Sequence, residues 1–159
     1  MVLEEEGLQI RRSNQLRVRL TNNNDIAKSY VTQAEERIKH SKEALSEGSY
    51  PYVVRQCQEA VELLLKASLR YVGIEPPKLH DVGYLLKKEK DRFPQWFQER
   101  IDELAYYSKV LRREREPAMY GDEETGATPE ELYSKFDAEN ASKMCAIVYE
   151  LVKKLIKTD

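Results

Sequence analysis

From about residue 25 onward, apolar residues recur every three or four positions, which is the spacing of one helix face. Ala27, Tyr30, Val31, Ala34, Ile38, Ser41 and Leu45 form the first stripe. Asn22-Asn-Asn-Asp25 offers short polar side chains that cap a helix start, and Gly48 can end the helix in the left-handed conformation. A second helix begins near Ser49, with Pro51 in its first turn, and closes at Gly73. Val53, Cys57, Ala60, Val61, Leu64, Ala67, Ser68 and Tyr71 face one way along it. Val54, Leu65, Leu69 and Val72 widen that stripe, so this helix is expected at the centre of the fold.

Ile74-Glu-Pro-Pro-Lys78 cannot continue a helix, because each proline disfavours helical geometry in the residue before it. A short third helix is expected over His80–Leu86, capped by His80 or Asp81. Phe93-Pro94 opens a fourth, with Phe97, Ile101, Leu104, Ser108 and Leu111 on its inner face. At about 100° per residue, the step from Phe97 to Arg115 returns to the same direction. Arg115, unlike Arg113, should therefore point inward, where a guanidinium must be paired or must line a cleft.

Pro117 weakens this helix at Glu116, and Tyr120–Gly126 reads as a loop. Thr128-Pro129-Glu130-Glu131 is a capping-box restart, with Tyr133, Phe136, Asn140, Met144, Ile147, Val148, Leu151 and Leu155 inward beyond it. The pattern predicts an all-α fold: an antiparallel up-and-down bundle of four long helices and one short one over residues 23–159. Residues 1–22 differ. Leu8, Ile10, Leu16, Val18 and Leu20 alternate with polar residues, among them Arg11, Arg12, Arg17 and Arg19. That is strand period, so this arm reads as strand-like or as a flexible tail.

Composition narrows the function. Charged residues are 34% and apolar residues 41%, a mixture suited to a helical domain with solvated outer faces. A net charge of −2 argues against a generic nucleic-acid clamp while leaving room for a local basic site. Cys57 and Cys145 lie at apolar helix positions and read as packing residues, which suits a reducing compartment. His40 and His80 are the only histidines and have no ligand spacing to a cysteine, so no zinc site is expected. No run of apolar residues is long enough for a membrane span, and the N-terminus has no apolar signal core. The expectation is a cytoplasmic protein without a cofactor.

There is no glycine-rich phosphate loop and no Ser-His-Asp or Cys-His arrangement. Glu35/Glu36, Glu114/Glu116 and Asp122/Glu123/Glu124 read as solvated carboxylates, and Lys87, Lys88, Lys90 and Arg92 as a solvated helix end. What remains is Leu111-Arg-Arg-Glu-Arg-Glu-Pro-Ala-Met-Tyr-Gly-Asp122, which packs charges, a proline, a tyrosine and a glycine into the end of a helix.

Three segments carry motifs of one known family. Ser49-Tyr50 leading into Arg55-Gln-Cys-Gln-Glu-Ala-Val-Glu-Leu-Leu-Leu-Lys-Ala67 is similar to that family's turn and "AxQAxExxLKA" helix. Pro77-Lys-Leu-His-Asp-Val-Gly-Tyr-Leu-Leu86 is similar to its "HxHDLxxLL" segment, and Leu111–Gly121 to "LxxxRxxAxYG". Together they span roughly residues 25–157, and the chain resembles the HEPN family (higher eukaryotes and prokaryotes nucleotide-binding).

The resemblance implies a HEPN-like bundle, a homodimer, and a nucleotide or RNA ligand. Active members are metal-independent ribonucleases, whose signature is an arginine, a polar neighbour and a histidine a few residues on. Arg115 and Glu116 match the first two, but Tyr120 stands at the histidine's place. Tyrosine titrates near pKa ~10 and is a poor general acid/base at neutral pH. The resemblance then implies a non-catalytic binder, with Arg115, Glu116, Tyr120 and Arg112 facing the ligand. Two alternatives stay open: a ribonuclease using Arg115 with Tyr120 or His80, and a structural dimerisation protein. Family members often pair with a small nucleotidyltransferase in toxin–antitoxin-like systems. In some, a tyrosine beyond the histidine is modified; here the position two after Tyr120 is Asp122.

Overall fold

A computed structural model describes residues 2–157, and the side chains of all of these except 17–21. The described residues form helices α1 (Val2–Glu47), α2 (Tyr50–Tyr71), α3 (Gly83–Lys88), α4 (Gln95–Gln98), α5 (Ile101–Tyr120), α6 (Pro129–Leu132) and α7 (Lys135–Ile156), with a 3₁₀ turn at Lys90–Arg92. The expected all-α fold and its four long helices, α1, α2, α5 and α7, are present. The short elements are more numerous than the single one expected.

α2 is the hub. It packs against α1, α5 and α7, and Val53, Cys57, Ala60, Val61, Leu64, Leu65, Ala67 and Leu69 along it are buried. The stripe from Ala27 to Ala44 seats α1 on it across the two-residue turn Gly48-Ser49. Cys57 and Cys145 are free thiols buried in the core, as their apolar positions predict.

The N-terminal arm is the first correction. Residues 2–22 continue α1 as helix, and neither a strand nor a helix start at Asn22–Asp25 is realised. An isolated strand leaves its backbone groups unpaired, whereas a helix satisfies them within the segment, and the glutamates and arginines of the arm are good helix formers. Leu8, Ile10 and Leu16 are exposed, so the period-two pattern does not report burial. The side chains of Arg17, Val18, Arg19 and Leu20 lie outside the described residues.

Three further boundaries move, the first being α3, which starts at Gly83 rather than His80. The fourth helix is broken between α4 and α5, while Phe97, Ile101, Leu104, Ser108 and Leu111 are all buried as expected. The last helix is also split. Thr128 caps α6, accepting the Glu131 N–H at 3.2 Å, but Tyr133 is extended and Ser134 starts α7 with a capping box to Asp137. The restart resets the helical phase, so Phe136 is 72% exposed rather than inward. Ala138, Ala141, Cys145, Val148, Val152 and Leu155 take the inner face.

Candidate functional site

α5 carries Arg115 in register with Leu104, Ser108 and Leu111, which are buried against α2 and its neighbours. Arg115 is half-buried where Arg113 is exposed, as the helix phase predicts. Its Nη1 donates to Gln58 Oε1 at 2.8 Å. Gln58 is only 2% exposed, so the arginine is held by an acceptor that has no access to water.

Gln58 passes the contact on. Its Nε2 donates to Glu62 Oε1 at 3.1 Å, one turn further along α2. Glu62 also takes the Lys66 ammonium at 3.2 Å and His80 Nδ1 at 2.7 Å. A continuous chain of polar contacts thus runs from Arg115 through Gln58 and Glu62 to His80 and Lys66. Its geometry depends on α2, which presents Gln58, Glu62 and Lys66 at steps of four beside an apolar face.

His80 is placed by a separate anchor. Asp81 Oδ1 accepts the Gly83 N–H at 2.9 Å and the buried Ser108 hydroxyl at 2.7 Å, which ties the loop to α3 and α5. Asp81, not His80, is therefore the residue that supports the start of α3. Gly83 lies so close to α5 that a Cβ there would meet Ala105 Cα at 2.9 Å.

The other residues named from the sequence fall outside this chain of contacts. Arg112 Nη1 pairs with Glu116 Oε2 at 2.7 Å, one turn apart on α5, and the guanidinium holds the Glu116 carboxyl below its ordinary range. Tyr120 is 69% exposed at the helix end, and among the described residues no hydrogen bond joins it to Arg115. Pro117 does not end the helix at Glu116. It sits in the last turn, and α5 runs on to Tyr120, where Gly121 at φ 78° closes it. An isolated backbone bridge between Asp122 and Ala127 then shapes the loop.

Two more of the carboxylates expected to be solvated are engaged by tyrosines. Glu114 accepts the Tyr133 hydroxyl, and Glu35 accepts the Tyr149 hydroxyl at 2.7 Å. Among the described residues no group of three or more His, Cys, Asp or Glu side chains is placed to hold a metal. No described helix is long and apolar enough to cross a membrane.

The HEPN domain model matches residues 27–155. The chain belongs to the HEPN family. No curated protein matches it significantly. Among solved structures, TT1696 from Thermus thermophilus is similar at TM-score 0.65 and 23% identity, over 80% of this chain and 96% of that one. ST0689, an archaeal HEPN homologue, is similar at TM-score 0.64 and 22% identity, over 82% of this chain and 97% of that one. Both likenesses concern the fold. Within this HEPN chain, Gln58 and Glu62 are site residues to which the sequence reading assigned no role. The signal that marks them is their polar character at a four-residue spacing on the helix at the centre of the core.

Proposed function

We propose that this HEPN protein is a non-catalytic module that binds the phosphate of a nucleotide or RNA through Arg115. The observation that supports this most is the Arg115–Gln58 bond: a half-buried guanidinium, fixed by a buried neutral acceptor, keeps its positive charge for an anionic ligand. Had a carboxylate taken that place, the charge would be neutralised within the protein. Arg112 is committed in that way to Glu116, so it serves the site less directly than the motif implies. The exposed Tyr120 offers a ring at the mouth of the same helix end.

The family resemblance supports a homodimer and a small nucleotidyltransferase as partner, in a toxin–antitoxin-like pair. In the test, fluorescent nucleotide and short RNA are titrated against wild type and Arg115→Ala, with a melting curve on each. The expected result is weaker binding with the domain still folded. Equal binding by both proteins would sink the proposal.

A second reading, a metal-independent ribonuclease, draws support from one observation. Glu62 engages His80 Nδ1, which leaves Nε2 for proton exchange at the far end of the contacts that begin at Arg115.

A further inference from the structure

The polar row on α2 does not stop at Lys66. Arg70 is the next step of four, and it reaches a cavity of about 450 Å³. Tyr30 of α1, Lys66 and Arg70 of α2, and Glu75 and Lys78 of the following loop line it, with Pro76-Pro77 as a stiff wall. Along the helix, Gln58 and Arg70 are about 18 Å apart at ~1.5 Å per residue. This cavity is therefore distinct from the Arg115 site.

Its charge is unbalanced toward the cation. Lys66 shares the Glu62 carboxylate, and Lys78 is exposed. Arg70 is largely covered, at 19% side-chain exposure, yet poorly partnered. Its Nε is buried with no acceptor, its Nη1 lies 3.4 Å from Asn23 Oδ1, and its Nη2 is 4.0 Å from Glu75. Glu75 is itself 84% exposed, so it holds the arginine weakly. A planar fork of five donors with no short acceptor is costly to keep in a largely covered position. A phosphoryl group supplies several charged acceptor oxygens and suits the fork's bidentate geometry. The Tyr30 ring beside it offers a stacking face.

We propose that the cavity is a second anion site, which takes a phosphoryl group on Arg70 and Lys78, with Tyr30 flanking whatever the phosphoryl carries. It stands without the Arg115 reading, since the two sites share neither cation. Free phosphate and a nucleotide present the same chemistry here, and the experiment separates them.

The full chain is titrated with inorganic phosphate and with adenosine monophosphate while the Arg70 Nε–H resonance is followed by NMR. Both ligands are expected to shift that resonance. Lys78→Glu, at an exposed loop position, should weaken binding roughly three- to tenfold, and Glu75→Gln should tighten it by about threefold. Tighter binding of the nucleotide than of phosphate would assign a stacked base to Tyr30; equal binding would assign the phosphoryl group alone. An Arg70 resonance that neither ligand moves overturns the site, as does a Lys78→Glu variant with wild-type affinity.

Discussion

Arg115 and Gln58 are far apart in sequence, yet the arginine Nη1 lies 2.8 Å from the amide oxygen of a glutamine that is 2% exposed. Both ends of that amide are used, since the nitrogen donates to Glu62. Gln58→Leu keeps the size and removes both contacts. It leaves the Arg115 guanidinium and a Glu62 oxygen each short of a partner, at a cost of about 1–3 kcal/mol. The melting temperature should fall, and ligand binding should weaken along with it. A Gln58→Leu protein that melts and binds like wild type would remove the basis for the preset arginine.

Three tyrosines donate to carboxylates, and all three hold their protons more tightly than ordinary tyrosine. Burial pushes Tyr133 far up, and Glu114 beside it adds to the effect. Burial and the bond to Glu35 raise Tyr149, and the bond to Glu103 raises Tyr107. Below about pH 10 each phenol is protonated in both folded and unfolded chains, so this stability is fully present. Above that the unfolded chain ionises first, and stability is lost as pH rises. Urea unfolding at pH 8 and pH 11 should show a clear alkaline loss, reduced in Tyr133→Phe. An equal loss in both proteins would show that Tyr133 does not carry it.

How far the sequence reveals this molecule differs between fold and site. The inward turn of Arg115 is legible because Leu104, Ser108 and Leu111 share its stripe within one unbroken helix. The longer step from Phe97 crosses the break between α4 and α5, so that route gives the right direction without a continuous helix behind it. The same kind of counting misplaces Phe136, because Tyr133 is extended and Ser134 starts a new phase. Ser134-x-x-Asp137 is itself a readable capping pair, masked by the stronger Thr128-Pro129 signal just before it. The arm fails for another reason. Alternation marks a strand only where one face is buried, and Leu8, Ile10 and Leu16 are exposed. At the site, Arg115 can be found from its motif, while its link to His80 depends on two helices and a loop meeting. No local pattern encodes that meeting.

Gly83 tests how tightly that loop is held. A methyl group there would sit 2.9 Å from Ala105 Cα and 3.0 Å from its Cβ, and a backbone neighbour cannot rotate away. Gly83→Ala should lift α3 off α5, strain the Asp81–Ser108 contact and cost about 1–3 kcal/mol. A lowered melting temperature checks this. If it does not change, the approach of α3 to α5 is looser than these distances require.

Between α5 and α7 lies a groove of about 520 Å³, lined by Tyr106, Val110, Met144 and Ile147. Phe136 and Tyr106 are 72% and 56% exposed. Phe136 stands one turn before the groove-lining Asn140 on α7, and a second copy laid on this face would cover both rings. Phe136→Glu is expected to shift the protein toward monomer in sedimentation velocity while its helical circular dichroism is retained. A variant that sediments like the wild type would place the dimer contact elsewhere or exclude a dimer.

The Glu62–His80 contact gives the ribonuclease reading a sharp test. With Nδ1 donating to the carboxylate, His80 Nε2 would carry the lone pair that accepts a 2′-hydroxyl proton. The freed oxygen would attack the adjacent phosphorus, and the 5′-oxygen would leave with a proton from water. Arg115 would offset charge on the phosphate. Such cleavage leaves 2′,3′-cyclic phosphate ends and needs no metal. Purified protein, with chelator, is incubated with RNA, and the ends are analysed for wild type, His80→Ala and Arg115→Ala. On the binding reading, none of the three yields cyclic ends. If wild type does, and both variants lose roughly a hundredfold or more of the rate, the protein is an enzyme and the missing motif histidine has been replaced from another loop. Activity that survives His80→Ala would instead direct attention back to Tyr120.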